Sequence, residues 1–328
     1  MKKTKSERPS KAERFLVTGG CGFIGAALCR LLREQGAEVV VLDDLSSGDP
    51  TRLPPDVKLI RGDICDRVAV DRALDGATGV FHLAAVASVE LCARNPDATR
   101  RTNLHGTSAL LDAAGDLPFV FTSSAAVYGE QVTLPIDEDA TPAPMSSYAT
   151  DKLGSEQHLQ DAARERGARC VALRPFNIFG PGQAPRSPYT GVLTRFVESA
   201  SSGLSLSVNG DGGQTRDFVH VNDVARALSG SMQVACKAER GYFAAINICS
   251  GQGISILELA RLVNRLANSR APISFGPERP GDIRHSTGDP TLAETAIGFR
   301  VEMPFEAGIA EMLAGRADRL AARQGAPG

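Results

Sequence analysis

Three glycines at three-residue spacing, Gly19, Gly22 and Gly25, separate a short apolar run, Arg14–Thr18 (RFLVT), from a segment whose apolar residues recur at helical spacing over 23–35. No other feature constrains the fold as tightly, because it dictates a strand that turns at once into a helix. Gly36 closes that helix, and the run EVVVL at 38–42 opens a second strand. Further short apolar runs at 57–60, 80–83 and 119–121 read as strands, with helical patterns at Arg67–Leu74 and 96–114 between them. Near-continuous apolar strands alternating with helices predict a parallel sheet covered on both faces, with right-handed crossovers. Ser146 and Ser147 then offer caps to a helix running to about Arg166, and 170–173 reads as another strand. The segment 175–214 is rich in Pro, Gly and Ser, with one helical stretch at 192–200. Strands at 218–221 and 246–248, an amphipathic helix at Ile256–Leu266 and an Ala/Arg-rich fraying helix from Met312 complete the pattern.

Glycines at a strand–helix junction allow a tight turn and let backbone N–H groups and the helix N-terminus approach a pyrophosphate. The run also fits the G-x-G-x-x-G template through Gly20, Gly22 and Gly25, so spacing does not separate the two variants. Asp43 ends the second strand. A carboxylate there accepts hydrogen bonds from ribose hydroxyls and repels a 2′-phosphate, which predicts NAD rather than NADP. The competing reading of Asp43 is a helix cap or turn residue.

Tyr148 and Lys152 are four residues apart at the start of a predicted helix, hence on one face. A phenol titrates near ~10, too high for a base at neutral pH, unless a nearby ammonium and the positive nicotinamide ring stabilise the phenolate. Thr122, Ser123 and Ser124 close the fifth predicted strand, and strand C-terminal ends face the ligand crevice of an open α/β sheet. Glycine turn, serines and Tyr/Lys helix therefore converge on one cleft.

Composition removes several alternatives. The net charge of −2 gives no electrostatic reason to expect nucleic acid or an anionic membrane as partner. Seven scattered cysteines form no Cys-x-x-Cys pair and read as free thiols of a reducing, cytoplasmic compartment. The five histidines do not cluster with them, so no metal site is expected. No apolar run approaches the roughly 18 residues of a membrane helix. Residues 1–11 read as a disordered basic leader.

These features occur within VTGGCGFIG (17–25), VVVLDDLSSG (39–48), GDICD (62–66), FHLAA (81–85), TSSAAVYG (122–129), SSYATDK (146–152), LRPFNIFGPGQ (173–183), NGDGGQTRDFVHVNDVARA (209–227) and ERPGDIRHS (278–286). In that order they resemble the extended short-chain dehydrogenases/reductases, in particular the NAD-dependent nucleotide-sugar epimerases and dehydratases. Ala125 and Ala126 stand where sugar-nucleotide 4,6-dehydratases carry an Asp-Glu pair, so within that group the likeness is to UDP-hexose 4-epimerases. The resemblance implies a Rossmann doubly wound parallel sheet (12–174 with 216–241), a smaller substrate-binding lobe (175–215 with 242–313) and a tail at 314–328. It implies that Ser124 binds the sugar O4, that Tyr148 removes its proton, and that Lys152 tunes Tyr148 and holds the nicotinamide ribose. NAD contacts are implied for Gly19, Gly22, Phe23, Ile24, Gly25, Asp43, Asp63, Ile64, Leu83, Ala84, Ala85 and Asn103. UDP-sugar contacts are implied for Ser88, Asn177, Val192, Leu193, Arg216, Arg279 and Asp282, with Ser286 as a gate on the sugar pocket. Arg216 has a second reading, a local ion pair with Asp217. The cycle restores the cofactor, and family members pair the helices at 97–114 and 147–166 as homodimers. A UDP-glucuronate 4-epimerase, with Arg94 or Arg186 for the carboxylate, and an NAD(H)-sensing regulator are the alternatives. His105 and Cys21 depart from the family pattern and are expected on a helix surface and as a small loop residue.

Overall fold

A computed structural model describes residues 13–183, 191–279 and 281–324; the leader at 1–11, Arg186 and the last four residues of the tail lie outside the described residues. Strand β1 (Arg14–Thr18) leads through the glycine turn into α1 (Phe23–Glu34) and back into β2 (Glu38–Asp43). The chain continues through β3 (Lys58–Arg61), α2 (Arg67–Leu74), β4 (Gly79–His82), α3 (Val89–Arg94), α4 (Pro96–Arg100), a π-helical turn (Arg101–Gly106), α5 (Thr107–Ala114) and β5 (Phe119–Thr122). Then come α6 (Ser147–Arg166), β6 (Cys170–Pro175), β7 (Asn177–Phe179), α7 (Val192–Ser201), β8 (Leu206–Asn209), β9 (Thr215–His220) and α8 (Val221–Lys237). The last elements are β10 (Phe243–Ile248), β11 (Gly253–Ser255), α9 (Ile256–Leu266), β12 (Ile273–Gly276), β13 (His285–Ser286), α10 (Thr291–Ile297) and α11 (Phe305–Gln324).

The main sheet has seven strands in the order β10-β6-β5-β4-β1-β2-β3, paired in parallel throughout. This is the expected doubly wound Rossmann sheet, with its order reversing between β1 and β4. Side chains alternate across it, as the period of two requires. Val17, Val39 and Val41 pack on one face with Leu28 of α1 and Leu228 of α8, while Leu16, Val40 and Leu42 pack on the other with Leu110 of α5 and Leu159 of α6. A third core, around Leu193, Phe196, Leu259 and Val263, holds the smaller lobe together.

The lobe boundary differs from the sequence expectation in two strands. β10, expected in the substrate lobe, pairs with β6 and is the outermost strand of the large sheet. β9, expected to return to the large sheet, pairs instead with β7, β11 and β13 in a small sheet of the other lobe. Only α8 of the returning segment packs on the large sheet, against α1 and strands β4 to β6. Helix α11 also starts well before Met312 and runs through most of the expected tail.

His82 ties the crevice end of the sheet together. Its Nδ1 lies 2.7 Å from Thr18 Oγ1 and its Nε2 2.8 Å from Thr107 Oγ1, linking β1, β4 and α5. Full burial pulls its pKa down to about 3, so the ring is neutral and one nitrogen donates while the other accepts.

Helix α1 can lie this close to β1 only because position 25 has no side chain. A Cβ on Gly25 would overlap the Gly19 carbonyl oxygen and the Gly20 Cα, both rigid backbone. Gly25→Ala is therefore expected to cost about 1–3 kcal/mol, the scale of overpacking. Calorimetry should register a thermal midpoint lower by several degrees; an unchanged midpoint would mean that the turn relaxes freely.

Candidate active site

A cavity of about 620 Å³ opens at the carboxyl ends of β1, β4, β5 and β6, between the large sheet and the smaller lobe. Gly19, Gly22, Phe23, Ile24 and Gly25 line one end of it. Gly19 has φ +69°, and a Cβ there would sit 2.7 Å from the Ala84 nitrogen, so glycine is what lets the turn touch the segment after β4. Helix α1 starts with Gly22 as its cap and no side-chain cap, so its first-turn N–H groups face the cavity as anion donors. That arrangement fits the pyrophosphate of a dinucleotide.

Asp43 is buried beside this turn. Its Oδ2 accepts the Cys21 N–H at 3.0 Å and its Oδ1 the Leu45 N–H at 2.9 Å. Burial raises its pKa, and the two backbone bonds oppose that rise. One lone pair on each oxygen is left over, enough to accept from ribose hydroxyls. Asp43 is itself not among the residues that line the cavity, whereas Ser47 and Arg52, which sequence reasoning missed, are. Leu83 and Ala85 also line it.

Several expected contacts are not part of its walls. Asp63 pairs with Arg101 at 3.0 Å and accepts the Cys65 N–H, while Ile64 is buried against Gly106. Asn103 is buried and clasps the Val86 backbone at both N–H (2.8 Å) and C=O (3.1 Å), so with Ala84 it shapes the 83–87 segment from behind. The Ser88 hydroxyl caps α3 by accepting the Leu91 N–H at 3.2 Å and is buried there. Ser286 lies on β13 in register with Arg216 but does not itself reach the cavity. Arg94 pairs with Glu90 on an exposed turn, away from the cavity. His105 is exposed on the π-helical turn and Cys21 is buried in the glycine turn, both as expected. All seven cysteines are free.

Ser124, Tyr148 and Lys152 all line the middle of the cavity. Ser124 stands two residues beyond the end of β5, and α6, capped by the Ser146 side chain on the Ala149 N–H, presents Tyr148 in its first turn and Lys152 in its second. The buried Lys152 Nζ donates to the Thr122 carbonyl at 2.7 Å, and lies 4.5 Å from the Phe121 ring centre and 5.9 Å from that of Tyr148. Burial pulls Lys152 down to about 8, with Glu156 the largest opposing influence. Burial pushes Tyr148 up to about 12, and the hydrogen bond from Ser124 offsets only part of this. The protein side chains alone therefore leave the phenol neutral at pH 7, in keeping with an expectation that needed the positive nicotinamide ring as well as Lys152.

At the other end, Asn177, Val192, Leu193, Arg216, Arg279 and Asp282 line the cavity. Arg216 pairs with Asp282 at 2.5 Å and donates to the Thr215 carbonyl. Its neighbour Asp217 faces away, holding the backbone N–H groups of Ser250, Gly251 and Gly288, so the local ion-pair reading of Arg216 fails. Arg195, one turn into α7, is a further cation that sequence reasoning missed; burial and the nearby Arg279 lower its pKa. Asp282 is the one acidic residue among the described walls, against Arg52, Lys152, Arg195, Arg216 and Arg279. The cavity is built for an anion. No cluster able to hold a metal ion occurs among the described residues.

The chain belongs to the NAD dependent epimerase/dehydratase family, whose profile matches residues 15–248. Its particular likeness is to sugar-nucleotide 4-epimerases. A UDP-glucose 4-epimerase of Azospirillum brasilense is 34% identical over 298 residues, covering 84% of each chain. The crystal structure of the Thermotoga maritima UDP-glucose 4-epimerase with UDP-glucose superposes with a TM-score of 0.89 at 33% identity, over 94% of this chain and 99% of that one. The UDP-N-acetylglucosamine 4-epimerase of Methanobrevibacter ruminantium superposes at 0.88 with 32% identity and the same coverage.

The cofactor is NAD. Asp43→Ala removes the carboxylate that braces the glycine turn at the Cys21 N–H. Losing hydrogen bonds to a charged group, about 1.5–3 kcal/mol each, should weaken NAD retention at least tenfold. Spectroscopic assay of NAD released from the denatured variant checks this; full occupancy would exclude Asp43 from cofactor binding.

Proposed function

We propose that this protein is an NAD-dependent 4-epimerase of UDP-hexoses, acting on the glucose/galactose pair, on the N-acetylglucosamine/N-acetylgalactosamine pair, or on both. One observation carries the reading: Ser124, Tyr148 and Lys152 meet in a single cavity between a pyrophosphate-binding turn and a group of arginines. NAD, when bound, supplies a hydride acceptor that is restored within each turnover, and the positive charge of its oxidised ring next to the phenol. The residues do the rest. Ser124 donates a hydrogen bond to the sugar O4 and orients it. Tyr148 takes the O4 proton and returns it, so that C4 passes through a ketone. Lys152, anchored on the Thr122 carbonyl, keeps a positive charge beside the phenol and a donor towards the nicotinamide ribose. Arg216, Arg279 and Arg195 grip the diphosphate while the sugar turns about its bond to it. Asp282 accepts from the uridine ribose, and Asn177, Val192 and Leu193 complete the nucleotide site.

Ala125 and Ala126 leave no carboxyl group beside Ser124 to drive loss of water, which favours epimerisation over dehydration. The UDP-glucuronate reading loses Arg94, which is paired elsewhere, as its carboxylate partner. A catalytically silent NAD(H) sensor would have no use for the assembled Ser/Tyr/Lys set. We further propose a cytoplasmic homodimer formed through the helices at 97–114 and 147–166. No helix among the described residues is long and apolar enough to cross a membrane.

Tyr148→Phe should lower kcat by about 10²-fold or more, the scale of a lost general base, with UDP affinity nearly unchanged. Ser124→Ala should cost less, because the base remains. Near-normal turnover of Tyr148→Phe, measured on UDP-glucose and UDP-N-acetylglucosamine, would remove the phenol from the mechanism.

Ser286 carries the substrate choice. Residues in register on neighbouring strands share a sheet face, so its side chain lies on the side where Arg216 reaches the cavity. A serine there leaves room for a 2-N-acetyl group, and a tyrosine would fill it, at about 1–3 kcal/mol of steric cost. The expected outcome of Ser286→Tyr is a ten- to hundredfold loss of kcat/KM on UDP-N-acetylglucosamine, with UDP-glucose spared. Equal loss on both, or no wild-type turnover of the N-acetyl sugar, would contradict the gate.

A further inference from the structure

We propose that Glu156 is a positioning residue of the proton-transfer site, a buried carboxylate that keeps Lys152 an ammonium and seats Ser123 beside Ser124. The inference rests on the Tyr148/Lys152 reading above and extends it inward by one helical turn.

Glu156 and Arg174 are 3% and 6% exposed, and they form a forked pair: Arg174 Nε lies 3.0 Å from Oε1 and 3.2 Å from Oε2, and Nη2 2.6 Å from Oε2. The remaining donors around the pair are satisfied. Ser123 Oγ donates to Glu156 Oε1 at 2.5 Å, Arg174 Nη1 donates to the Tyr128 hydroxyl at 2.9 Å, and that hydroxyl donates to Asn247 Oδ1 at 2.7 Å. A buried ion pair of this kind rarely stabilises a fold more than a well-packed apolar pair would. Its placement supplies a different reason for it. Glu156 follows Lys152 by four residues on α6, hence on the same helix face, and Ser123 immediately precedes Ser124.

Lys152 needs a counter-charge. Its ammonium is buried, with the neutral Thr122 carbonyl as its one hydrogen-bond partner among the described residues and aromatic rings beside it. Four other groups face it. Asp151 is on the same helix, pairs with Arg100 at 3.0 Å and favours the charged lysine less than Glu156 does. Cys92 of α3 is a thiol raised by burial, His82 of β4 is neutral, and Tyr148 is a neutral phenol. Glu156 is the strongest of the groups that favour the charged lysine. Taking its charge away removes the largest influence opposing burial and adds the uncompensated Arg174, so Lys152 must release its proton at lower pH.

The test reads Lys152 directly, by NMR titration of protein labelled with 13C at lysine Cε and purified with its NAD. Glu156→Gln keeps the shape and one acceptor for Ser123 but removes the charge. It is expected to move the Lys152 midpoint down by about one pH unit or more from its wild-type value, with the alkaline limb of kcat following it. Arg174→Met, which frees the Glu156 charge, should not lower the midpoint. If Glu156→Gln does not fold, Glu156→Gln/Arg174→Met deletes the pair without orphaning a charge and must shift the midpoint in the same direction, by less than the single variant. A folded Glu156→Gln, or the folded double variant, with an unmoved Lys152 midpoint would overturn the proposal. The readout does not depend on turnover, so it separates a failure here from a failure of the Tyr148 reading, which Tyr148→Phe kinetics test.

Discussion

The site depends on how closely the turn after β1 lies against the segment after β4. Gly19 meets the Ala84 backbone and Gly25 meets Gly19, at distances that exclude a Cβ. The Thr18–His82–Thr107 chain of hydrogen bonds holds these two strand ends and α5 in one arrangement. A side chain at Gly25 would push α1 away from the sheet, and the uncapped N-terminus of α1 would no longer point into the crevice. From this contact follow the position of Asp43 under the turn and the placement of Leu83 and Ala85 in the wall opposite it.

Charge is distributed across the cavity in the same economical way. At one end, arginines outnumber the single Asp282, a surplus that a nucleoside diphosphate neutralises. In the middle, burial acts in opposite directions on two neighbouring residues, raising Tyr148 and lowering Lys152. At pH 7 Tyr148 therefore stays a neutral phenol while Lys152, lowered only to about 8, stays an ammonium, and the phenol loses its proton readily only when further positive charge enters. The Glu156–Arg174 pair lies beneath them, joined through Ser123 to the strand that carries Ser124.

Local periodicity was enough to place most elements. The amphipathic helix Ile256–Leu266 has the limits its pattern predicts, because capping by Ser255 and Glu258 is itself a local signal. The glycine turn, Tyr148, Lys152 and Ser124 were legible for the same reason: each sits where a strand end or helix start dictates. Pairing between distant strands was not. β9 and β10 are both short apolar runs, and nothing within either tells which sheet will accept it. Polar residues with a choice of partner were equally opaque. Ser88 serves as a helix cap and Asn103 as a backbone clasp, uses that depend on the fold of the 83–92 segment rather than on residue type. Arg195 was hidden in an amphipathic helix, where an arginine ordinarily reads as solvent-facing. The π-helical turn at Arg101–Gly106 interrupts what reads as one continuous helix, and it brings Gly106 against Ile64.

The central claim is that the hydrogen on the sugar C4 leaves and returns without meeting solvent, while only the O4 proton passes through Tyr148. Isotope tracing tests it most directly. UDP-glucose carrying deuterium at C4 is incubated with the enzyme in ordinary water, and the product is analysed by NMR and mass spectrometry. The account predicts UDP-galactose that retains the deuterium at C4, with none appearing in water. Loss of the label to solvent would mean that C4 is deprotonated rather than oxidised, and would contradict the mechanism.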